Sequence, residues 1–234
     1  MKLLIQLFST CLICIPIAFV EAKDIRTNET TITGAPEWLT ESRVDRVTFR
    51  IQQKLEWTTR RTKMKFYSNR SEFERAHTLG PNAMAVTVGR GNEATVHFGP
   101  RVLENNFDEV FGHELVHVIV IQKYKGAIPK WLEEGLANNY SNHGKVDYKW
   151  LATQKFPDDV QQLAHPLLGS AEGILYRYKA SQALAEMLEK KCGLENLVRL
   201  SVQRKMEDYI KSYCEIKDLN VAFKAWVTSK AAAT

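Results

Sequence analysis

Apolar side chains recur at Val44, Val47, Ile51 and Leu55, the three-to-four-residue spacing of a helix running from Val44 to Thr59. Lys63 to Tyr67 changes period to two, with Met64 and Phe66 on one side, and reads as a short strand. Ser71 to His77 reads as a short helix with Ser71 as its cap and Glu74 three residues on. Two strand-like runs follow, Ala83 to Val88 and Ala94 to Phe98, joined by the turn residues Gly89 to Asn92. Beyond Gly99-Pro100 the pattern is mainly helical. Asp108 can cap a helix through Val120, and Pro129 opens one through Asn139. Ser141 to Gly169 is loop-rich, Glu172 to Lys191 is a long amphipathic helix stopped by Gly193, and Leu194–Tyr213 and Leu219–Val227 give two more helices. Lys23 to Glu37 is polar and Thr-rich and reads as a loose leader. The order of elements predicts an α+β fold, with a small N-terminal sheet and flanking helices in 23–105 and a helical subdomain in 106–234.

Composition changes this picture little. A hydrophobic fraction of 44% and a charged fraction of 25% in 234 residues are those of a globular chain with a sizeable core. The net charge of +5 is scattered. Its densest cluster, Arg60, Arg61, Lys63 and Lys65, reads as a solvated strand edge rather than a nucleic-acid face.

The first 22 residues stand apart. Lys2 is a short positive region, Leu3 to Val20 is apolar, and Val20-Glu21-Ala22 fits a cleavage site, which together predict a signal peptide over 1–22. The alternative is an uncleaved N-terminal anchor, and Gln6, Ser9, Thr10 and Pro16 weaken it. Cleavage predicts a secreted or periplasmic protein with no membrane contact afterwards, and removes Cys11 and Cys14. The remaining pair, Cys192 and Cys214, then forms either one disulfide or two buried thiols.

The chemistry sits in the apolar run Val110 to Val120, VFGHELVHVIV. His113, Glu114 and His117 form H-E-x-x-H. On a helix the two imidazoles share one face about 5–6 Å apart and can bind one metal ion, while the offset Glu114 can act as general base. Burying three such groups without partners would be costly, and a cation supplies the partner. The pattern is short and also arises in helices that bind no metal, so a third ligand decides its meaning. Downstream, PKWLEEGLANNY (Pro129 to Tyr140) offers two adjacent carboxylates, Glu133 and Glu134, which lie equally far from the apolar face of Trp131, Leu132 and Leu136. Periodicity does not choose between them. Gly135 points to a close helix–helix approach beside Glu134.

HELVH followed by PKWLEEGLA resembles the gluzincin zinc metallopeptidases, in particular their compact peptidase-MA-like members. The resemblance covers roughly Thr87 to Leu188. It implies that the glutamate before the glycine, Glu134, is the third zinc ligand beside His113 and His117, with Glu133 its exposed neighbour. It implies Glu114 as the catalytic base. It further implies an oxyanion-stabilising tyrosine in LYRYKASQALAEML, where Tyr178 stands at the matching place and Tyr176 competes. The strand Ala94 to Phe98 would then be the sheet edge that pairs with an extended peptide, and Asn138 would orient a ligand. His97 reads as a sheet residue, and His77, His143 and His165 as surface or loop residues. The expected function is hydrolysis of peptide or protein substrates with Zn2+, leaning to internal cleavage because no G-x-M-E-N stretch is present. The alternatives are a zinc-bearing peptide- or envelope-binding module without turnover, and a helical protein carrying an accidental motif.

Overall fold

The computed structural model describes residues 23–124, 126–142, 144–164, 169–200 and 205–233. The expected signal peptide, His143 and His165 lie outside the described residues. Among those described, no helix is long and apolar enough to cross a membrane.

The fold is α+β. Strands β1 (Lys23–Arg26), β2 (Thr30–Ala35), β3 (Thr62–Phe66), β4 (Ala85–Arg90) and β5 (Glu93–Phe98) form one mixed sheet in the order β1-β2-β3-β5-β4. β2, β3 and β5 are parallel, and β1 and β4 flank them antiparallel. Helix α1 (Glu41–Lys54) makes the crossover from β2 to β3. The register places Ile32 beside Met64 and Met64 beside Val96, and all three are buried. Lys63, Lys65 and His97 alternate to the opposite face.

Helix α2 (Arg70–Arg75) precedes the β4–β5 hairpin, which turns at Gly91 with φ +63°. Helix α3 (Phe107–Ile119) packs on the sheet and continues into a π-helical turn, Val120–Tyr124. Helices α4 (Lys130–Ser141), α5 (Tyr148–Thr153), α6 (Ala171–Cys192), α7 (Leu194–Leu200), α8 (Met206–Ser212) and α9 (Leu219–Ala233) complete the described structure. The rings of Phe98, Phe107 and Phe111 seat α3 on β5, with centroids 5.8 Å and 5.4 Å apart. One continuous core includes Val96 of the sheet, Ile51 of α1, Leu115 of α3, Leu136 of α4 and Leu184 of α6, so it runs across the sequence seam near Asn105.

Several expectations require correction. The segment from Lys23 to Glu37 is not a loose leader, because Ile25, Ile32 and Ala35 are buried and threonine, being β-branched, suits a strand. The Lys63 and Lys65 strand is not an edge. It lies inside the sheet, and its lysines are exposed because one sheet face is open. Asn69, not Ser71, caps α2, its side chain accepting from the amides of Ser71 and Glu72. Asp108 does not cap α3. The helix starts after Asn106, and the Asp108 carboxylate accepts from Arg43 Nε at 2.6 Å, tying α3 to α1. The span from Leu194 to Tyr213 is not one helix, since Lys205 is extended before α8. Cys192 and Cys214 are joined in a disulfide with a sequence separation of 22, which links the end of α6 to the segment after α8.

The crossing of α4 on α6 depends on Gly135. A Cβ built there would stand 2.5 Å from the Ser181 carbonyl oxygen, closer than contact allows. Gly135→Ala is therefore expected to destabilise the fold by about 1–3 kcal/mol in denaturant unfolding. Unchanged stability would contradict so close an approach.

Candidate metal centre

Helix α3 brings His113 and His117 onto one face, with ring centroids 4.9 Å apart and the two Nε2 atoms 3.1 Å apart. The rest of the helix is anchored in the core through Phe111, Leu115, Val118 and Ile119. Helix α4 approaches that face. Trp131, Leu132 and Leu136 hold it in the core, which turns both Glu133 and Glu134 inward. Glu134 Oε1 lies 3.8 Å from His117 Nε2, and Oε2 lies 3.6 Å from His113 Nε2. One ligand atom from each of the three residues falls within 4.8 Å of the others. Atoms bound at about 2.0–2.1 Å around a tetrahedral ion stand roughly 3.3 Å apart. The observed separations bracket that value.

The donor set suits a cation. Glu134 Oε2 is buried and accepts no hydrogen bond among the described residues, although a buried carboxylate oxygen is costly unless partnered. Glu114, Glu133 and Glu134 bring three carboxylates to two imidazoles. Burial pushes the Glu134 carboxyl up to about 7, against the pull of His117. Burial alone would hold the His117 imidazolium down, but the carboxylates of Glu134, Glu133 and Glu114 outweigh it and raise its pKa to about 9. A divalent ion between Glu134 and the two imidazoles would take over this charge balance. His113, His117 and Glu134 are the residues that fit it.

Glu133 is not the exposed neighbour expected. It is 2% exposed, its Oε1 lies 2.7 Å from His117 Nδ1, and its Oε2 lies 2.7 Å from Lys130 Nζ. Burial opposes its ionisation, but the contacts with His117 and Lys130 prevail and hold its carboxyl below the usual range. Periodicity left the two glutamates equivalent, and it is the approach of α4 to α3 that turns both of them inward.

Glu114 is buried beside the imidazoles. The Thr87 hydroxyl lies 2.7 Å from its Oε2 and 3.2 Å from its backbone oxygen. Burial raises the Glu114 carboxyl, while His117 and Thr87 pull it down. Thr87 belongs to β4, the sheet edge beside α3. This corrects the expectation for Ala94 to Phe98: β5 is interior, paired with β3 and β4, and β4 is the edge. Two hairpin strands look alike in sequence, and only their pairing with β3 decides which one is outermost. Apart from period-two alternation, nothing in the sequence marks Thr87.

The Tyr178 ring on α6 stands 6.0 Å from the His113 ring, edge-on. Burial raises its hydroxyl pKa, with Glu134 and Glu114 adding to the effect. Tyr176 has a buried hydroxyl pushed up to about 12 by burial, with no carboxylate contributing. Asn138 makes no hydrogen bond to His113, His117 or Glu134. It faces α6, where its Nδ2 donates to the Tyr178 carbonyl at 3.2 Å. His97 sits in β5 with its Nδ1 2.8 Å from the Tyr67 hydroxyl, and His77 lies in the loop after α2, its Nδ1 accepting from the Leu79 amide.

No protein-family model matches the chain, and no curated protein matches it in sequence. The class defined by fold and site is accordingly an α+β protein with a candidate two-histidine, one-carboxylate metal centre.

Metal binding at His117 Nε2 must displace the proton that the metal-free site holds up to about pH 9. The apparent zinc affinity is therefore expected to rise about tenfold or more per pH unit between roughly pH 7 and 8.5. Titration against a competing chelator measures this, and a pH-independent affinity would contradict His117 as a ligand.

Proposed function

We propose that the protein is a zinc-dependent peptidase of the gluzincin type, acting on peptide or protein substrates. The observation that carries this reading is the convergence of His113 Nε2, His117 Nε2 and the Glu134 carboxylate beside a buried, hydrogen-bonded Glu114. Zinc bound there would lower the pKa of a coordinated water toward about 7 and polarise a substrate carbonyl. His113, His117 and Glu134 would hold it.

The protein's own groups divide the remaining work. Glu114 accepts the proton of the attacking water and returns it to the leaving amine. Thr87 fixes the Glu114 carboxylate by its 2.7 Å hydrogen bond and so aims the base. The Tyr178 hydroxyl, whose ring stands beside His113, donates a hydrogen bond to the oxyanion that develops on the attacked carbonyl. The outer edge of β4, which pairs with no strand among the described residues, would receive an extended peptide next to Glu114 by way of Thr87. In this reading residues 1–22 are a cleaved export signal and the mature protein works in a secreted or periplasmic setting.

Purified full-length protein should cleave an unstructured substrate such as casein, and a chelator should abolish the cleavage. Glu114→Gln should retain zinc and lose about 10²- to 10⁴-fold in rate. Hydrolysis by Glu114→Gln at the unsubstituted rate would refute the mechanism. Zinc uptake without any hydrolysis by the unsubstituted protein would instead support a peptide-binding module.

A further inference from the structure

Glu133 is a buried carboxylate with both oxygens engaged, a placement the catalytic scheme above does not use. Oε1 meets His117 Nδ1 at 2.7 Å, across the junction of α3 and α4. Oε2 meets Lys130 Nζ at 2.7 Å, one turn earlier on α4. Lys130 is largely exposed, so the pair joins a surface ammonium to a buried carboxylate. A carboxylate that buried is costly unless strong hydrogen bonds compensate it. Both contacts here are charge-assisted or to an imidazole N–H, and both are short.

The consequence concerns His117. A neutral imidazole carries one N–H, and the acceptor at Nδ1 draws it there. Nε2 is then left with its lone pair on the side where His113 Nε2 and Glu134 lie. We propose that Glu133, braced by Lys130, is a positioning residue that fixes the tautomer and ring orientation of His117, so that adjacent glutamates on one turn of α4 serve the same ion: Glu134 directly and Glu133 through the histidine. This rests on the metal-centre reading above. A carboxylate behind a metal-ligating histidine raises the basicity of the bound nitrogen and holds the ring in place. Lys130 holds the second carboxylate oxygen of Glu133 while the first meets Nδ1. A merely structural ion pair between the helices would alter the stability of the metal-free chain but not its zinc affinity or the His117 tautomer.

The test is zinc affinity by chelator competition on the full chain, with the melting temperature of each metal-free variant as a control. Glu133→Ala is expected to weaken zinc binding about 10- to 100-fold. Glu133→Gln, whose amide oxygen still accepts from Nδ1, should recover much of that loss. Lys130→Met should give a smaller loss than Glu133→Ala. In the zinc-loaded unsubstituted protein, long-range ¹H–¹⁵N spectra should show His117 protonated at Nδ1 and metal-bound at Nε2. Zinc bound through Nδ1 would overturn the proposal even if Glu133→Ala failed to fold. So would a Glu133→Ala affinity within about twofold of the unsubstituted chain, well short of the loss expected for a supporting carboxylate. A chain that takes up no zinc removes the metal-centre reading, and this inference with it. Normal uptake with an unmoved Glu133→Ala affinity removes this inference alone.

Discussion

Five titratable side chains meet where α3 packs against α4, and the surrounding fold must satisfy all of them at once. His113, His117, Glu114, Glu133 and Glu134 sit in an interior otherwise filled by Phe111, Leu115, Leu132 and Leu136. Such a group holds together only where each charge meets an opposite charge or a hydrogen-bond donor. Glu133 meets His117 and Lys130, Glu114 meets Thr87, and Glu134 closes on both imidazoles while keeping one oxygen without a hydrogen bond. The pKa shifts express the same competition. Burial drives Glu134 toward neutrality at about 7, and the surrounding carboxylates drive His117 toward charge at about 9.

The scaffold serves that arrangement. The aromatic stack of Phe98, Phe107 and Phe111 sets α3 on the sheet, and Gly135 lets α4 settle against α6. Asn138 and Tyr178 then join α4 to α6 at the site itself, so the tyrosine ring reaches His113 from a third helix. The hairpin of β4 and β5 lays its outer strand along α3, which delivers Thr87 to Glu114. The sheet edge, Glu114 and the candidate ligands thus lie side by side.

Local patterns were the legible part of this architecture. The period-3.6 stripe of α1, the spacing of His113 and His117, the proline opening α4 and the glycine ending α6 all follow from nearest-neighbour chemistry and hold in the structure. Quantities set by partners distant in sequence were not legible. Neither the interior position of β5 nor the burial of Glu133 is encoded within a few residues of either. Threonines at 30, 31 and 33 look like solvated leader in composition, and become strand once Ile25 and Ile32 find the core. The cysteine pair was open between bridge and thiols, because only the meeting of α6 with the segment after α8 brings the two together.

The proposed centre is one zinc ion held by His113, His117 and Glu134. X-ray absorption at the zinc edge, on full-length protein loaded with one equivalent and freed of excess metal, tests it most directly. The proposed centre should show four nitrogen or oxygen neighbours at about 2.0–2.1 Å, with the outer-shell scattering of two imidazoles. Loss of the metal on removal of the excess, a sulfur neighbour, or the scattering of fewer than two imidazoles would contradict it.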